Sequence, residues 1–560
     1  MFKKTDPNPQ LDIFTAPSMQ LGSRASKKYS DPNAWHNQFY SLVTTKINEE
    51  IFKPLFPEGK KCGRPNASIR ILVAMSALKE GFGCSDEDLF EKCEFDLLTR
   101  KALGMELLTD VTPSIDTYYL FRRRICEYQE RTGIDLMQLC FEQLAGNQVR
   151  LLKISGKCVR MDSKLIDSNI ARQSRYELIH TTLVKFLKTC TLSDLSPEQE
   201  ERAKEYLKED SSKTVYRSDS DTLQSNLARI GNFIMEMLAT FPATSPAHDL
   251  LQRLFAEQYA VKDGKAVLRD KKEVKADSLQ NPNDPDATYR AKNDQKVQGY
   301  VTNITETVEE GKPNIITSVQ VETAVFADCH FLQEAVENSE RVTDSTIEDL
   351  YADGAYQSPD NREFAKNHNA MQLKTGKMQG GCRWELIPHD EDGLTVREIA
   401  TGNTYEAVKA VTKQGSRKRW RIPWNNKTGW RYFEDKDIKA YQLRKQIESL
   451  PLEEQHKRNN VEAAMFQYSF HTRKGKTRYR GLLKHRMHAY SRCMWMNLRR
   501  MVIFQISTFQ RSIFALFGPI REAFGSFKAI SRKIFTSGVD CYVSLRMTTL
   551  ARLDSKYVPF

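Results

Sequence analysis

Arg458-Asn-Asn-Val-Glu462-Ala-Ala-Met-Phe-Gln467 opens the stretch that decides how the rest of the chain is read. Between Glu462 and Glu522 there is no acidic residue, while Lys and Arg occur twelve times. Ordinary surface helices mix both signs, so that opposite charges four residues apart support each other. Here one carboxylate heads a wholly basic run, with Arg458 one turn before it. Val461, Met465 and Tyr468 recur at helical spacing, which predicts a helix with one buried face. A carboxylate held against positive charge stays ionised and can bind a hard cation. The cations that follow, Lys474, Lys476, Arg478, Arg480 and Lys484, are candidates to hold the phosphates of DNA beside it.

One carboxylate does not hold a catalytic metal pair. Two other stretches offer partners. Gly156-Lys-Cys-Val-Arg-Met-Asp162-Ser-Lys-Leu-Ile-Asp-Ser-Asn169 reads as a strand, a carboxylate and a second short strand. Asp344 to Tyr356 reads as a short strand ending at Asp353, where Gly354 permits a sharp exit. Asp167 competes with Asp162, and Glu454 with Glu462. Taken in order, the set is strand-borne Asp162, strand-end Asp353 and helix-borne Glu462.

That ordered set resembles a DDE transposase of bacterial insertion sequences, in the branch with an InsH-like helical N-terminal domain. Arg64-Pro-Asn-Ala-Ser-Ile-Arg-Ile-Leu72 and Cys84-Ser-Asp-Glu-Asp-Leu-Phe90 resemble the N-terminal domain, and Asp162 to Asn169 the first acidic motif. Asn283-Asp-Pro-Asp-Ala-Thr-Tyr-Arg290, with Lys296 and Gly299-Tyr300, resembles the lead-in to the central strands. Tyr351 to Tyr356 and Arg458 to Arg500, with Tyr479-Arg-Gly-Leu482 and Asn497-Leu498, complete the likeness, which spans most of residues 50 to 505. Arg458 and Glu462 match the family's last motif. Its usual tyrosine and lysine are replaced by Gln455 and Ser469, which leaves Lys474 or Lys476 to do the missing lysine's work.

The resemblance implies an α/β fold with a ribonuclease-H-like catalytic core, two aspartates on adjacent strands and the glutamate on a facing helix. It implies Asp162, Asp353 and Glu462 as catalytic and metal-binding residues, with Mg²⁺ or Mn²⁺ as cofactor. Two such ions about 3.5–4 Å apart activate a water or a DNA 3′-hydroxyl and stabilise the leaving oxygen. The implied partner is double-stranded DNA, both element ends and target, bound by a homodimer. The competing readings are a structure-selective nuclease on the same fold and a catalytically inactive DNA-binding derivative.

At 560 residues and 40% hydrophobic content the chain can hold several cores. A net charge of +12 favours a polyanionic partner. Met1-Phe-Lys-Lys is followed by polar, proline-bearing sequence, unlike a secretory signal. The apolar segment from Ile503 to Phe517 is broken by Gln505, Gln510 and Arg511, which argues against a membrane span. Eleven cysteines without a Cys-x-x-Cys pair argue against structural zinc and fit reduced thiols. The expected location is cytoplasmic, on the nucleoid.

In chain order, residues 1–50 are expected to form a polar arm with a short helix near Trp35. Residues 51–150 form a helical DNA-binding domain, with a capping box at Ser85 to Asp88 and the basic cluster Arg122, Arg123 and Arg124. A helical bundle with a solvated basic face is the plainer alternative for this domain. Residues 151–185, 286–370 and 433–505 supply the core. A helical insertion with a linker occupies 186–285, a β-rich insertion 371–432, and a tail 506–560. In the β-rich insertion Trp420 and Trp424 lie among arginines and lysines, a composition suited to stacking an unpaired base. Ordinary core packing is the alternative for both.

Overall fold

The apolar spacing of Ile69, Leu72, Val73 and Leu78 becomes the helix Ile69–Phe82. Ser68 caps it by accepting the Ile71 N–H, and Gly83 ends it in the left-handed conformation with φ +65°. The structure, a computed structural model, describes residues 2–5, 16–56, 65–242, 245–292, 295–375, 382–389, 393–410, 419–424, 429–449, 451, 457 and 461–523. Asp86–Phe95 starts with the expected capping box, in which the Ser85 and Asp88 side chains each accept the other's backbone N–H. Leu97–Leu103, Ile115–Thr132 and Leu136–Leu152 complete the helical module.

Residues 1–50 are not an arm throughout. The short helix expected near Trp35 is present as Trp35–Leu42, but Trp35, Phe39, Val43 and Ile47 lie buried in the same core as Leu72, Met75 and Leu78. The polar composition hid apolar residues spaced to bury one side, and residues 6–15 lie outside the described residues.

β1 (Cys158–Asp167) is one continuous strand, where the sequence suggested two short ones. After it comes a helical insertion of Arg175–Leu187, Pro197–Lys208, Ser211–Arg217, Ser220–Thr240 and Pro246–Gln258, closed by a hairpin of β2 (Tyr259–Lys262) and β3 (Lys265–Leu268). It has its own core around Tyr176, Ile179, Phe233 and Leu251. The expected linker instead folds back. Leu279, Asn281 and Asp284 are buried, and the Tyr289 N–H donates to the Ala276 carbonyl.

The central sheet adds β4 (Thr288–Lys292), β5 (Gln295–Thr307), β6 (Ile316–Thr323), β7 (Asp349–Ala352) and β8 (Gln372–Thr375). Its order is β4–β5–β1–β7–β8, and β6 shares with β4 the other edge of β5. β5 runs antiparallel to β1 and β6, while β7 is parallel to β1 and β8 parallel to β7. Side chains alternate along β1. Val159 and Met161 bury against the helix Leu332–Thr343, whereas Ile166 joins the core shared with the helical module.

The β-rich insertion is a five-stranded antiparallel sheet of β9 (Trp384–His389), β10 (Gly393–Glu398), β11 (Thr404–Lys409), β12 (Arg419–Trp424) and β13 (Gly429–Glu434). Ile438 and Tyr441 of the helix Asp435–Glu448 cover one face. Val461–Ser469, called the motif helix below, packs against β1. The long helix Leu482–Ala523 buries Met487, Tyr490, Met494, Leu498 and Met501 as their spacing predicts, and it runs past the expected boundary at 506.

Candidate functional site

The two aspartates meet where β1 and β7 run side by side. β7 pairs with β1 from Cys158↔Asp349 to Arg160↔Tyr351. The same parallel register, carried two residues further, sets Asp353 level with Asp162. Asp162 itself is paired across β5 with Ile304. Asp353 caps the turn Gly354–Tyr356, accepting the Gly354 N–H at 2.7 Å. Asp162 accepts the Ser163 N–H at 2.8 Å.

Burial pushes the Asp162 carboxyl up to about 6, and the negative charges of Asp353 and Asp328 push the same way against the Ser163 N–H and Lys292. Beneath the pair lies Tyr356, wholly buried, whose hydroxyl donates to Asn303 at 2.6 Å. Asn303 donates to Gln320 at 2.8 Å, and Gln320 to Glu334 at 3.0 Å, so a polar chain runs from the buried tyrosine to the exposed Glu334. Burial, then the charges of Asp162 and Asp328, hold the Tyr356 phenol well above its usual value. Asp328 is itself held by Arg290 at 3.1 Å.

Glu462 sits in the first turn of the motif helix and is exposed. Met465 and Tyr468 face inward as their spacing predicts, and the Tyr468 hydroxyl lies 3.2 Å from that of Thr302 on β5. The approach to this helix is tied to β1 by Arg160, which donates to the Lys457 carbonyl at 2.8 Å. Arg160 and Asp162 lie on one face of the strand, so the Lys457 carbonyl is held on the face that carries Asp162. Among the described residues, no three His, Cys, Asp or Glu side chains stand close enough to hold one metal ion. The geometry thus pairs Asp162 with Asp353 and leaves Glu462 on the facing helix without closing a three-carboxylate cage. Arg458 lies outside the described residues.

The basic run wraps the far end of β1. The Asp167 N–H donates to the Gly475 carbonyl, Thr477 N–H to the Asp167 carbonyl, and Asn169 N–H to the Tyr479 carbonyl. Lys474 and Gly475 make the turn with φ of 50° and 79°. Lys476 Nζ donates to the Ile170 carbonyl at 2.7 Å, and Arg480 Nε to the Asn169 carbonyl at 2.7 Å. Arg478 reaches the helical module at the Gly83 carbonyl, 2.7 Å away. Between that module and this loop opens a cleft of about 940 Å³, lined by Lys79, Arg122, Arg123, Arg478, Arg480 and Lys484 and also by Asp86, Glu87 and Asp116. Five cations singled out from distant parts of the sequence therefore share one cleft, and Lys474 is exposed on the turn beside them.

The three consecutive arginines do different work, because successive residues on a helix point about 100° apart. Arg122 has a side chain only 15% exposed, lying 5.3 Å from the Tyr118 ring and 5.4 Å from that of Tyr479. It bridges module and loop rather than standing as a free cation. Arg123 is exposed and pairs with Glu127. Arg124 lies over Phe56 and lines a separate groove of about 530 Å³. The loop is bolted down by Glu80, which accepts the Tyr479 hydroxyl and lies 2.7 Å from His488 Nδ1. Burial favours protonation of Glu80, but His488, Lys79 and Tyr479 outweigh it and hold the carboxyl far below its usual range.

Trp420 is corrected to a core residue. It is 3% exposed and packs with Trp384, Ile422 and Phe433, as alternation along β12 dictates. Trp424 closes β12, and its side chain lies outside the described residues. On the open face, Arg421 lies 4.2 Å from the Trp430 ring and Arg419 4.0 Å from that of Tyr432. Sequence reasoning also passed over Arg160, Lys292, Asn303 and Asp328. Arg160 alone carried a signal, a charge two residues before Asp162 inside an apolar strand.

The molecule is a mixed α/β protein with paired aspartates on a parallel strand pair and a basic cleft beside them. Residues 28–124, which hold most of the helical module, match the family model described as a transposase domain (DUF772). That match supports a transposase-related function and implies interaction with DNA. No curated protein and no solved structure matches the chain. No described helix is long and apolar enough to cross a membrane.

Proposed function

We propose that the chain is a DDE-type transposase that binds the inverted repeats at its element's ends and carries out metal-dependent cleavage and strand transfer. The observation that carries the reading is the pair Asp162 and Asp353, at matching heights on adjacent parallel strands. The strand order, with three antiparallel strands on one side of the parallel pair, supports a ribonuclease-H-like core. The donor set fits a hard cation. Two neighbouring carboxylates, one pushed up to about 6 chiefly by burial and further by the other's charge, are relieved by divalent charge. Asp162 and Asp353 would hold Mg²⁺ or Mn²⁺, with Glu462 as the third ligand from the motif helix. A bound ion pair supplies an activated oxygen nucleophile and charge stabilisation at the scissile phosphate.

The remaining work falls to side chains of the chain itself. Arg123, Lys474, Arg478, Arg480 and Lys484 would grip the phosphate backbone of a duplex in the cleft. A homodimer would bring two ends together on DNA in the nucleoid. The test is purified protein with Mg²⁺ and DNA carrying its own element ends. Cutting and joining by the wild type, and neither by Asp162→Asn or Asp353→Asn, is expected. Cutting without joining would make it a structure-selective nuclease instead.

A binding-only reading draws on one observation, the exposed Glu462 outside any three-carboxylate group among the described residues. End-specific DNA binding equal in wild type and Asp162→Asn, with no cleavage by either, would establish it.

A further inference from the structure

Arg160 is buried two residues before Asp162, and its guanidinium serves two partners at once. Nε donates to Glu306 Oε1 at 2.6 Å, and Nη2 lies 2.5 Å from the same oxygen. Nη1 points the other way and donates to the Lys457 carbonyl, at the approach to the motif helix. Glu306 does not need Arg160 for neutralisation, since Arg500 Nη1 pairs with its second oxygen at 2.6 Å. A buried ion pair also adds little net stability over a well-packed apolar replacement. What only a planar fork can do here is brace against Glu306 while holding a carbonyl on another element.

The far end of the motif helix is held in the same manner. Arg492 donates from Nη2 to the Gln467 carbonyl at 2.5 Å and from Nη1 to the Glu80 carbonyl at 2.8 Å. That contact faces the helical module. The Arg160 contact lies on the β1 side and holds the Lys457 carbonyl, four residues before Val461, where the helix that carries Glu462 begins.

We propose that Arg160 is a positioning residue that sets the start of the motif helix, and with it Glu462, over β1. The proposal rests on the reading of Asp162 and Glu462 as parts of one site. Arg160 touches neither substrate nor ion. It converts the rigidity of the strand into a fixed height for the helix.

Hydrogen exchange of the metal-free full-length protein tests it through the amides of residues 461–469. Arg160→Met and Arg160→Lys are compared with Arg500→Met. Lysine keeps a charge for Glu306 but has no fork with which to reach Lys457 as well. Both Arg160 variants are expected to exchange about tenfold faster at 461–469, while Arg500→Met, which also strips a partner from Glu306, leaves that segment as in wild type. Unchanged exchange in Arg160→Lys, or an equal rise in Arg500→Met, overturns the proposal. Folding is checked by melting, and Arg160→Lys is the variant that decides should Arg160→Met unfold. In the cleavage assay, Arg160→Lys is expected to lower kcat about tenfold with DNA Kd unchanged. If the wild type cuts no DNA, the functional reading fails while the exchange comparison still settles the clamp.

Discussion

Asp353 stands level with Asp162 across the parallel pair β7 and β1, and its charge adds to the burial that pushes the Asp162 carboxyl up to about 6. A carboxyl raised above its unfolded value destabilises the fold once the proton has left both states. Stability at this group therefore falls as pH climbs from about 4 to about 6, then levels. Asp162→Asn is expected to be more stable than wild type above pH 6 by about 2 kcal/mol, after discounting for partial exposure, and equal to it below pH 4. Melting curves of metal-free protein across that range check the sign. A wild type that gains stability through this window would contradict it.

Divalent metal should reverse that penalty. Mg²⁺ at saturating concentration is expected to raise the Tm of the wild type by several degrees, because ligand that binds only the folded state stabilises it by mass action. Asp162→Asn and Asp353→Asn should show no such rise. Ca²⁺ as a non-reacting substitute, read by calorimetry, separates binding from chemistry.

Lys484 and Arg122 line the same cleft and are expected to behave differently. Lys484 is exposed, so Lys484→Ala should weaken DNA binding across sequences and reduce the slope of log K against log salt by about 1. Arg122 is packed between two tyrosine rings, so Arg122→Ala should lower stability by about 2 kcal/mol through lost packing. Equal salt slopes and equal stabilities for the two variants would dissolve this distinction.

Glu80 is buried against His488 and Tyr479, with its carboxyl far below the usual range. A depressed carboxyl adds stability above its unfolded value, and that stability is lost as pH falls through the folded one. Glu80→Gln should cost about 3 kcal/mol at pH 7 and progressively less below pH 4. Denaturant unfolding at pH 7 and pH 3 measures both.

Trp420→Ala should cost about 3–5 kcal/mol in the stability of the β-rich insertion, as for any large core truncation. Trp430→Ala should cost far less, since Trp430 is 48% exposed. Limited proteolysis of the insertion compares them.

Much of this was legible in the sequence wherever a local rule sufficed. Ser85 and Ser196 marked helix starts, the stripe from Met487 to Met501 marked a core face, and alternation marked β5 and β6. Asp162, Asp353 and Glu462 were read only as an ordered trio through the family resemblance, because the parallel register that sets the two aspartates level joins residues far apart in the chain. Local pattern failed where burial depended on distant partners. The helix near Trp35 was expected, but not that Trp35 and Phe39 find their core in Phe82 and Trp495. Trp420 sat among cations in sequence, yet strand alternation turned it inward. The partners of Arg160 at Glu306 and Lys457 could not be read from its neighbours at all.

β1 has a consequence for how force travels. One ribbon of ten residues carries Asp162 near its middle and hydrogen-bonds the basic loop at its last residue. A load applied to the basic loop therefore reaches the strand that carries Asp162 through backbone hydrogen bonds alone.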